Sequence, residues 1–209
     1  MKLPDFDYFL PKELIAQRPL DDRDSSRLLI VDRKSGTLAH ECFRDLTDYF
    51  NPQDLLVFNN TKVVPARMPG RKKYTLGKVD ALLTARITDR KFRVLLKPSL
   101  KAGQQIIFDH GEIEARVAQP GVLEFAAPLT DKLLRKVGLM PLPPYIKREP
   151  EEIDNKRYQT VYARSPGAIA SPTAGLHFTR HLLEEIKNKG VETAYITLHV
   201  GVATFTAVR

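Results

Sequence analysis

The sequence predicts an α/β fold in which a small antiparallel β-barrel is inserted into a domain with a parallel-type sheet. Short strand patterns separated by turn residues recur from residue 67 to about 127 without an intervening helix pattern, which is typical of a small barrel. Strand and helix patterns alternate outside that region, as they do in parallel sheets. The 209 residues, 43% of them hydrophobic, can form one domain or two small ones.

The inserted barrel is predicted to occupy residues 67–137. Its strand patterns are separated by turn signals that contain Gly, Pro or Asp. The predicted barrel strands are residues 78–84, 92–97, 104–108, 112–118 and 122–125. A discontinuous α/β domain, residues 1–66 plus 138–209, is predicted to form the rest and to be incomplete at its C-terminus.

The first part of the α/β domain shows three elements. An apolar run predicts a strand at residues 28–32, and apolar positions at helical spacing predict a helix within residues 40–50. The continuous apolar run DLLVFNN at residues 54–60 predicts a buried strand. This strand ends in Asn59 and Asn60, and open α/β sheets bind ligands at the carboxyl ends of their strands.

The second part begins with RYQTVYA, residues 157–163, whose aromatic and β-branched residues predict a strand. A helix is predicted at residues 179–189, with Thr179 as its N-cap and Gly190 just past its end. The strand predicted at residues 191–200 follows, and the β–α–β order predicts parallel pairing. His199 lies at the end of this strand.

The positive charge of the chain is concentrated in one region. Between Lys62 and Lys101, twelve Lys and Arg residues accompany only Asp80 and Asp89, a net charge of +10, against +8 for the whole chain. A focused basic field suits a polyanion such as nucleic acid. A solvated basic surface on a small domain is the alternative.

Several classes of protein are excluded or disfavoured. No apolar run of about 18 residues predicts a transmembrane helix, and the N-terminus lacks the apolar segment of a secretory signal, so a cytoplasmic protein is expected. The single Cys42 excludes an intramolecular disulfide and a cysteine-cluster metal site. No GxGxxG, GxxxxGK[ST] or GxSxG motif is present, which disfavours a dinucleotide site, a P-loop and a serine hydrolase. No metal site is predicted.

Polar residues accumulate between residues 156 and 178, where Pro and Gly force an irregular loop before a helix. Such a loop can hold an anion on its backbone N–H groups, or it can be a plain β–α connection. His177 and His199 are candidates for general acid–base catalysis, because imidazole has an ordinary pKa of about 6.5. A hydrogen-bonded structural histidine is the alternative for each.

The chain resembles the S-adenosylmethionine:tRNA ribosyltransferase-isomerase family of queuosine biosynthesis, the QueA family. The resemblance runs over nearly the whole length and is carried by ordered motifs, which are RDSSRL, VPAR, PLPPYI, RYQTVYA, ASPTAGLHF and TLHVGVATF. It implies an α/β domain with an inserted β-barrel. It also implies a tRNA-modifying transferase that moves the ribosyl part of S-adenosylmethionine onto 7-aminomethyl-7-deazaguanine in the tRNA anticodon loop and isomerises it, giving epoxyqueuosine.

The resemblance places site residues on this chain. S-adenosylmethionine is implied as a co-substrate, no prosthetic group is implied, and tRNA is the partner. The catalytic candidates are His177, His199, Asp24 and Thr173. The substrate-binding candidates are Arg23, Arg27, Asn59, Asn60, Arg67, Tyr158, Gln159 and Gly175. The RNA-binding candidates, which suit phosphate groups, are Lys62, Arg71, Lys72 and Lys73.

The chain departs from the family pattern at its end. Family members continue beyond the position of Arg209, so a fragment, a split product or a chain completed by self-association or a partner is expected, with an exposed strand edge and apolar sheet faces. Ala203 stands where the family has a second glycine, and Thr206 and Ala207 stand where it has Arg-Pro. The alternative function is therefore a truncated, catalytically silent tRNA- or nucleotide-binding module, or a partial subunit.

Overall fold

The fold is that of a computed structural model, which describes residues 2–205. Its strands are β1 (Arg27–Val31), β2 (Leu38–Cys42), β3 (Leu55–Asn59), β4 (Thr61–Val63), β5 (Arg67–Lys72), β6 (Lys78–Arg86), β7 (Lys91–Lys97), β8 (Gln105–Phe108), β9 (Ile113–Gln119), β10 (Val122–Phe125), β11 (Ser165–Ala168) and β12 (Glu192–Ile196). Its α-helices are α1 (Asp131–Val137), α2 (Asp154–Arg157) and α3 (Arg180–Asn188). The substitutions at Thr206 and Ala207 lie outside the described residues.

Strands β5 to β10 form a closed antiparallel barrel in the order β10-β7-β6-β5-β8-β9. Alternate side chains point inward, so that Met68, Ile106 and Phe108 are almost completely buried in its core. The predicted barrel is confirmed, and its five predicted strands agree with β6 to β10 within two residues. Strand β5 was not predicted, because Pro69 and Gly70 resemble a turn signal.

A glycine is needed at position 70 because two barrel strands approach each other closely there. A Cβ atom at this position would lie 2.6 Å from the ring of Phe108 and 2.8 Å from the carbonyl oxygen of Ile107. Residue 70 therefore belongs to the packed barrel wall rather than to a turn.

The α/β part contains two parallel strand pairs, β12 with β3 and β11 with β4. Helix α3 packs on one face of the β3–β12 pair through a core that contains Phe58, Phe178 and Ile186. The Thr179 side chain caps α3 by accepting a hydrogen bond of 3.0 Å from the Leu182 N–H. The predicted α3, its N-cap and the parallel-type pairing are confirmed.

Within residues 2–205, the other face of the β3–β12 pair is exposed. Leu55, Val57 and Leu198 each expose more than half of their surface, and Ile196 exposes 45%. This agrees with the expected exposure of apolar sheet faces. It also shows that the prediction of a buried strand at residues 54–60 was wrong in its burial, because Phe58 is the one residue of β3 that is buried.

Two predictions of local elements were wrong. RYQTVYA is not a strand: α2 ends at Arg157 and turns follow, because the side chains of this segment make specific tertiary hydrogen bonds that override strand propensity. The strand beside it is β11, which contains Pro166 on its sheet edge. The helix expected within residues 40–50 is a 3₁₀ helix, Phe43–Tyr49, preceded by β2, which pairs with β1.

The barrel strands and α1 lie within residues 67–137, while the division into two separate domains stays a prediction. None of the helices formed by residues 2–205 has the length and apolarity that a bilayer crossing requires.

Candidate functional site

A cavity of about 620 Å³ lies where the N-terminal loop, the PLPPYIKR connector and the loop after α2 meet. It is lined by five of the predicted site residues, which are Arg23, Arg27, Tyr158, Thr173 and His177. Arg18, Arg148 and Arg157 also line it, and we call it the arginine cavity. The fold thus brings these predicted residues together, although Arg23 and His177 are more than 150 positions apart in the sequence.

Arg23 and Arg157 hold the two walls of the arginine cavity together by donating to backbone carbonyls. Arg23 donates to the carbonyls of Lys156 at 2.7 Å and Leu176 at 3.0 Å. Arg157 donates in return to the carbonyls of Leu20 and Asp21, both at 2.6 Å. Two guanidinium groups are therefore fixed by neutral acceptors, and their charges are not cancelled by these contacts.

The arginine cavity keeps an excess of positive charge. Arg18 pairs with Glu151 at 2.6 Å and Arg148 pairs with Asp154 at 2.7 Å. Within the described part of the chain, neither Arg23, Arg27 nor Arg157 has a carboxylate oxygen within 4 Å. These three cations make the cavity suitable for an anionic ligand.

Arg23 lies in an environment that disfavours further positive charge. The pKa of Arg23 is lowered mainly by burial and to a smaller extent by the positive charge of the neighbouring Arg157. A guanidinium stays protonated at neutral pH all the same. An anion bound between Arg23 and Arg157 would relieve this repulsion.

His177 ends the 3₁₀ helix Thr173–His177 at the edge of the arginine cavity. Its ring packs on Phe43 with centroids 5.1 Å apart, and its Nδ1 atom lies 3.4 Å from the carbonyl oxygen of Arg23. Because a carbonyl only accepts, this contact places the proton of the neutral ring on Nδ1 and leaves Nε2 as the acceptor. The half-buried imidazole is thus oriented for proton transfer at Nε2.

Tyr158 presents a buried hydroxyl to this region. Burial raises the pKa of Tyr158 to about 12, so the phenol is neutral at physiological pH. Among residues 2–205, four buried side-chain atoms lack a hydrogen-bond partner, and they are Arg157 Nε, Tyr158 Oη, Thr160 Oγ1 and Ser171 Oγ. Only Arg157 and Tyr158 of these four line the arginine cavity, and a polar ligand atom that paired with Arg157 Nε or Tyr158 Oη would offset a cost of about 1–3 kcal/mol.

Three predicted site residues have structural contacts instead of lining the arginine cavity. The Asp24 carboxylate accepts from the Thr179 hydroxyl at 3.1 Å and so supports the start of α3. The Gln159 amide accepts from the Val63 N–H at 3.0 Å and donates to the Val63 carbonyl at 2.8 Å. Gly175 is buried against Tyr162, whose hydroxyl leaves no room for a Cβ atom.

A second polar group, which we call the strand-end cluster, lies at the carboxyl ends of β3 and β12 and consists of Asn59, Asn60, Thr61 and His199. Asn59 donates to the Leu198 carbonyl at 2.9 Å and accepts from the Leu198 N–H at 3.0 Å. The Asn60 side-chain oxygen accepts a hydrogen bond of 2.6 Å from the hydroxyl of Thr197, which lies next to Leu198. The two asparagines thus hold the backbone that carries His199.

The His199 ring is fixed by two residues that the sequence analysis did not identify. Its Nδ1 atom lies 2.7 Å from the hydroxyl oxygen of Thr61, a residue with no exposed surface. The ring also covers Gly167, where a Cβ atom would come within 2.7 Å of it. His199 is not among the residues that line the arginine cavity, so the fold separates the two candidate acid–base histidines into different clusters.

The basic residues near the barrel differ in their contacts. Arg67 is bound to Asp80 and to Glu149, both at 2.9 Å, and these hydrogen bonds outweigh its burial and raise its pKa. Lys73 is paired with Glu114 at 2.7 Å. Arg67 therefore ties the connector to the barrel. The remaining predicted RNA-binding residues, Lys62, Arg71 and Lys72, have no carboxylate within 4 Å among residues 2–205.

Sequence reasoning missed Arg148, Arg157 and Asp154. Arg148 and Arg157 belong to the motifs PLPPYIKR and RYQTVYA. Their partners, however, are set by the tertiary fold: Arg148 pairs with Asp154, and Arg157 donates to the backbone of Leu20 and Asp21. In the described part of the chain, no three His, Cys, Asp or Glu side chains come together as metal ligands.

Comparison with known proteins identifies similar sequences over the whole chain. A sequence profile described as "Queuosine biosynthesis protein" matches residues 3–209. An S-adenosylmethionine:tRNA ribosyltransferase-isomerase of Sulfurihydrogenibium sp. (strain YO3AOP1) is 49% identical over 214 aligned positions, which cover 100% of this chain and 64% of that protein. The protein of the same name from Acetivibrio thermocellus is 45% identical over 219 positions, covering 100% of this chain and 63% of its own length.

A solved structure of an S-adenosylmethionine tRNA ribosyltransferase from Thermotoga maritima is 32% identical, covers 94% of this chain and 58% of that chain, and gives a TM-score of 0.40. The chain thus spans slightly less than two thirds of the length of the curated relatives that it matches.

Proposed function

Because this chain belongs to the queuosine biosynthesis protein family, we propose that it acts as all or part of an S-adenosylmethionine:tRNA ribosyltransferase-isomerase. In this reaction the ribosyl moiety of S-adenosylmethionine is transferred to 7-aminomethyl-7-deazaguanine in the tRNA anticodon loop and isomerised to an epoxycyclopentanediol. Adenine and methionine leave. The protein is proposed to work in the cytoplasm without a prosthetic group.

The observation that carries this proposal is the charge of the arginine cavity. S-adenosylmethionine has a carboxylate at one end, and Arg23, Arg27 and Arg157 offer positive charge that no carboxylate of the described residues neutralises. A volume of about 620 Å³ is of the size that binds small molecules. We therefore assign the methionine part of the donor to the arginine side of this cavity.

His177 is proposed as the group that moves a proton on the ribose. Its Nδ1–H is directed to the Arg23 carbonyl, so Nε2 is the atom that can accept a proton. Arg23 therefore links donor binding and proton transfer: its guanidinium binds the carboxylate region, and its carbonyl orients the imidazole. Thr173, which begins the same 3₁₀ helix, is proposed to contact the sugar.

The test is adenine release from S-adenosylmethionine in the presence of an anticodon stem-loop that carries the aminomethyl-deazaguanine base. We expect release with the parent chain and its loss in His177→Gln. His181→Gln is the matched control, because His181 lies on the exposed surface of α3, 79% exposed at its side chain, and we expect it to keep full activity.

The outcomes separate the proposed enzyme from the alternative. Binding of S-adenosylmethionine and RNA by a folded chain without adenine release would favour the catalytically silent binding module. Release that begins only when the C-terminal residues of a longer relative are added as a separate chain would identify a partial subunit. Full activity of His177→Gln would remove His177 from the proton-transfer step.

A further inference from the structure

Two adjoining cavities lie on the outer face of β5, β6 and β7, with volumes of about 920 and 750 Å³. Both are lined by the same four charged residues, Arg67, Asp80, Lys97 and Glu149. We call the joined cavities the barrel groove. The larger cavity also shares Leu142, Pro143, Ile146 and Arg148 with the arginine cavity. The barrel groove therefore leads away from the proposed donor site along the barrel wall.

The floor of the barrel groove near the arginine cavity is apolar. Leu82 and Leu95 are direct cross-strand partners on β6 and β7, and both line the larger cavity. Leu95 exposes 46% of its surface. Exposed leucine side chains can make van der Waals contact with a nucleic-acid base, because every base has a broad face that can pack on apolar atoms.

The far end of the barrel groove carries a small excess of positive charge, because four cations line it together with the three carboxylates of Asp80, Asp109 and Glu149. Arg71 and Lys78 are direct partners across β5 and β6, an arrangement in which like charges destabilise a strand pair. Lys97 lies opposite Asp80, whose carboxylate is already held by Arg67. Within residues 2–205, none of Arg71, Lys78 and Lys97 has a carboxylate within 4 Å, so the three cations are available to an external anion.

The spacing of these cations suits an extended polyanion. The Arg71–Lys78 row and the row of Lys97 are two residues apart along the strands, roughly 6.6 Å. This is comparable with the separation of successive phosphates in an extended strand. The order along the groove is therefore an apolar floor beside the proposed donor site, followed by the row of Lys97 and then the row of Arg71 and Lys78.

We propose that the barrel groove binds the single-stranded RNA that flanks the acceptor nucleoside. The RNA backbone contacts Lys97, Arg71 and Lys78, and a flanking base rests on Leu82 and Leu95. This inference rests on the proposed function, because the acceptor nucleoside must reach the arginine cavity while its strand continues outward. Only Arg71 of these five residues was among the RNA-binding candidates of the sequence analysis.

The test measures the affinity of a fluorescein-labelled anticodon stem-loop by anisotropy over a series of KCl concentrations. The groove variant is Arg71→Gln/Lys78→Gln/Lys97→Gln. The matched control is Lys132→Gln/Arg135→Gln/Lys136→Gln, which removes three exposed cations from α1. A plot of the logarithm of the association constant against the logarithm of the salt concentration has a negative slope, and its magnitude should decrease by about 2 in the groove variant. Each lost phosphate contact with a single strand contributes about 0.7 to that magnitude. The control should keep the parent slope.

A second set of variants tests the apolar floor of the barrel groove, which Leu82 and Leu95 form. Leu95→Glu places a negative charge between the cations and the donor site, and we expect at least a 10-fold loss of affinity, whereas Leu95→Gln should lose less. Thermal unfolding shows whether each variant is folded. If the triple variant does not fold, Lys97→Gln alone should lower the slope by about 0.7.

Equal slopes in the groove and control variants would overturn the inference. Displacement of the RNA by polyglutamate as effectively as by unlabelled stem-loop would also overturn it, because the surface would then be a general anion site. Adenine release separates this result from the proposed activity. Normal RNA binding through the groove without adenine release would contradict only the activity, while normal release with unchanged slopes would contradict only the groove.

Discussion

The buried ion pair between Arg148 and Asp154 offers a quantitative test of how the arginine cavity is held. Asp154 exposes 3% of its surface, and its carboxylate accepts from both terminal nitrogens of Arg148 at 2.7 and 2.8 Å. It also accepts from the Glu151 N–H at 2.7 Å. Burial alone would raise the pKa of Asp154, but these hydrogen bonds and the charge of Arg148 lower it below its ordinary value.

We expect Asp154→Asn to lower the free energy of unfolding by about 3 kcal/mol at pH 7. Breaking a buried pair costs about 3–5 kcal/mol, because the remaining charge stays unpaired and the new amide N–H₂ faces guanidinium donors. The lower figure applies here because the Arg148 side chain is 17% exposed and retains some hydration. For a chain of this size the melting temperature should fall by about 6–12 °C.

The loss of stability should depend on pH in a defined direction. The folded-state pKa of Asp154 is lowered, so its contribution is complete above the unfolded-state pKa of about 3.9 and disappears as pH falls through the folded-state value. The parent and Asp154→Asn proteins should therefore converge in stability below pH 4. Urea unfolding at pH 7, 5, 4 and 3 measures this difference.

The control is Glu151→Gln, which breaks the exposed Arg18–Glu151 pair, with side chains 65% and 41% exposed. It also removes the weaker contact of Glu151 with Arg148 at 4.0 Å but leaves the Arg148–Asp154 pair in place. Exposed pairs contribute at most about 1 kcal/mol. The reasoning would be refuted if Asp154→Asn cost no more than Glu151→Gln at pH 7. A stability difference that stayed constant down to pH 3 would show that packing, not charge, is responsible.

Three further changes give distinct results. His177→Phe keeps the aromatic ring but should reduce adenine release at least about 100-fold without changing the melting temperature; a residual rate near that of the parent would assign the residue a packing role. Gly175→Ala should cost about 1–3 kcal/mol in urea unfolding, and Tyr162→Phe should recover part of it by removing the colliding hydroxyl; no recovery would locate the strain elsewhere. Asn59→Ala should cost about 2 kcal/mol and speed hydrogen exchange of the Leu198 amide, which an unchanged exchange rate would contradict.

The barrel could be predicted closely from the sequence because its strands obey a local rule. Residues from Lys78 to Phe125 alternate inward apolar and outward polar side chains, and turn residues mark each end. Helix α3 could also be predicted from local signals, because Thr179 caps its start and Gly190, with a positive φ, follows its end. Strand β11 does not follow this local rule, because it contains Pro166 and Gly167. Both residues fit there because the strand lies at a sheet edge and the His199 ring packs over the glycine.

The candidate site was predictable only in part. Motif residues identified Arg23 and His177, but the contacts that orient them join positions 134 and 154 apart in the sequence. RYQTVYA was assigned to a strand by propensity, whereas Gln159 uses its whole amide to hold the Val63 backbone. No local pattern reports such a contact, because the partner is chosen by the tertiary fold.

The basic region shows why charge must be counted in space rather than along the chain. The segment from Lys62 to Lys101 carries a net charge of +10, but four of its cations are paired with carboxylates from outside it. These pairs are Arg67–Glu149, Lys73–Glu114, Arg86–Asp131 and Lys91–Glu124. The antiparallel barrel brings those carboxylates beside the cations, so the segment's charge overstates the field at its surface. Among residues 2–205, four outward-facing cations of β5 to β7 form no ion pair, and they are Arg71, Lys78, Arg93 and Lys97. Three of them, all except Arg93, line the barrel groove, so the proposed attraction for RNA is strongest there rather than along the segment as a whole.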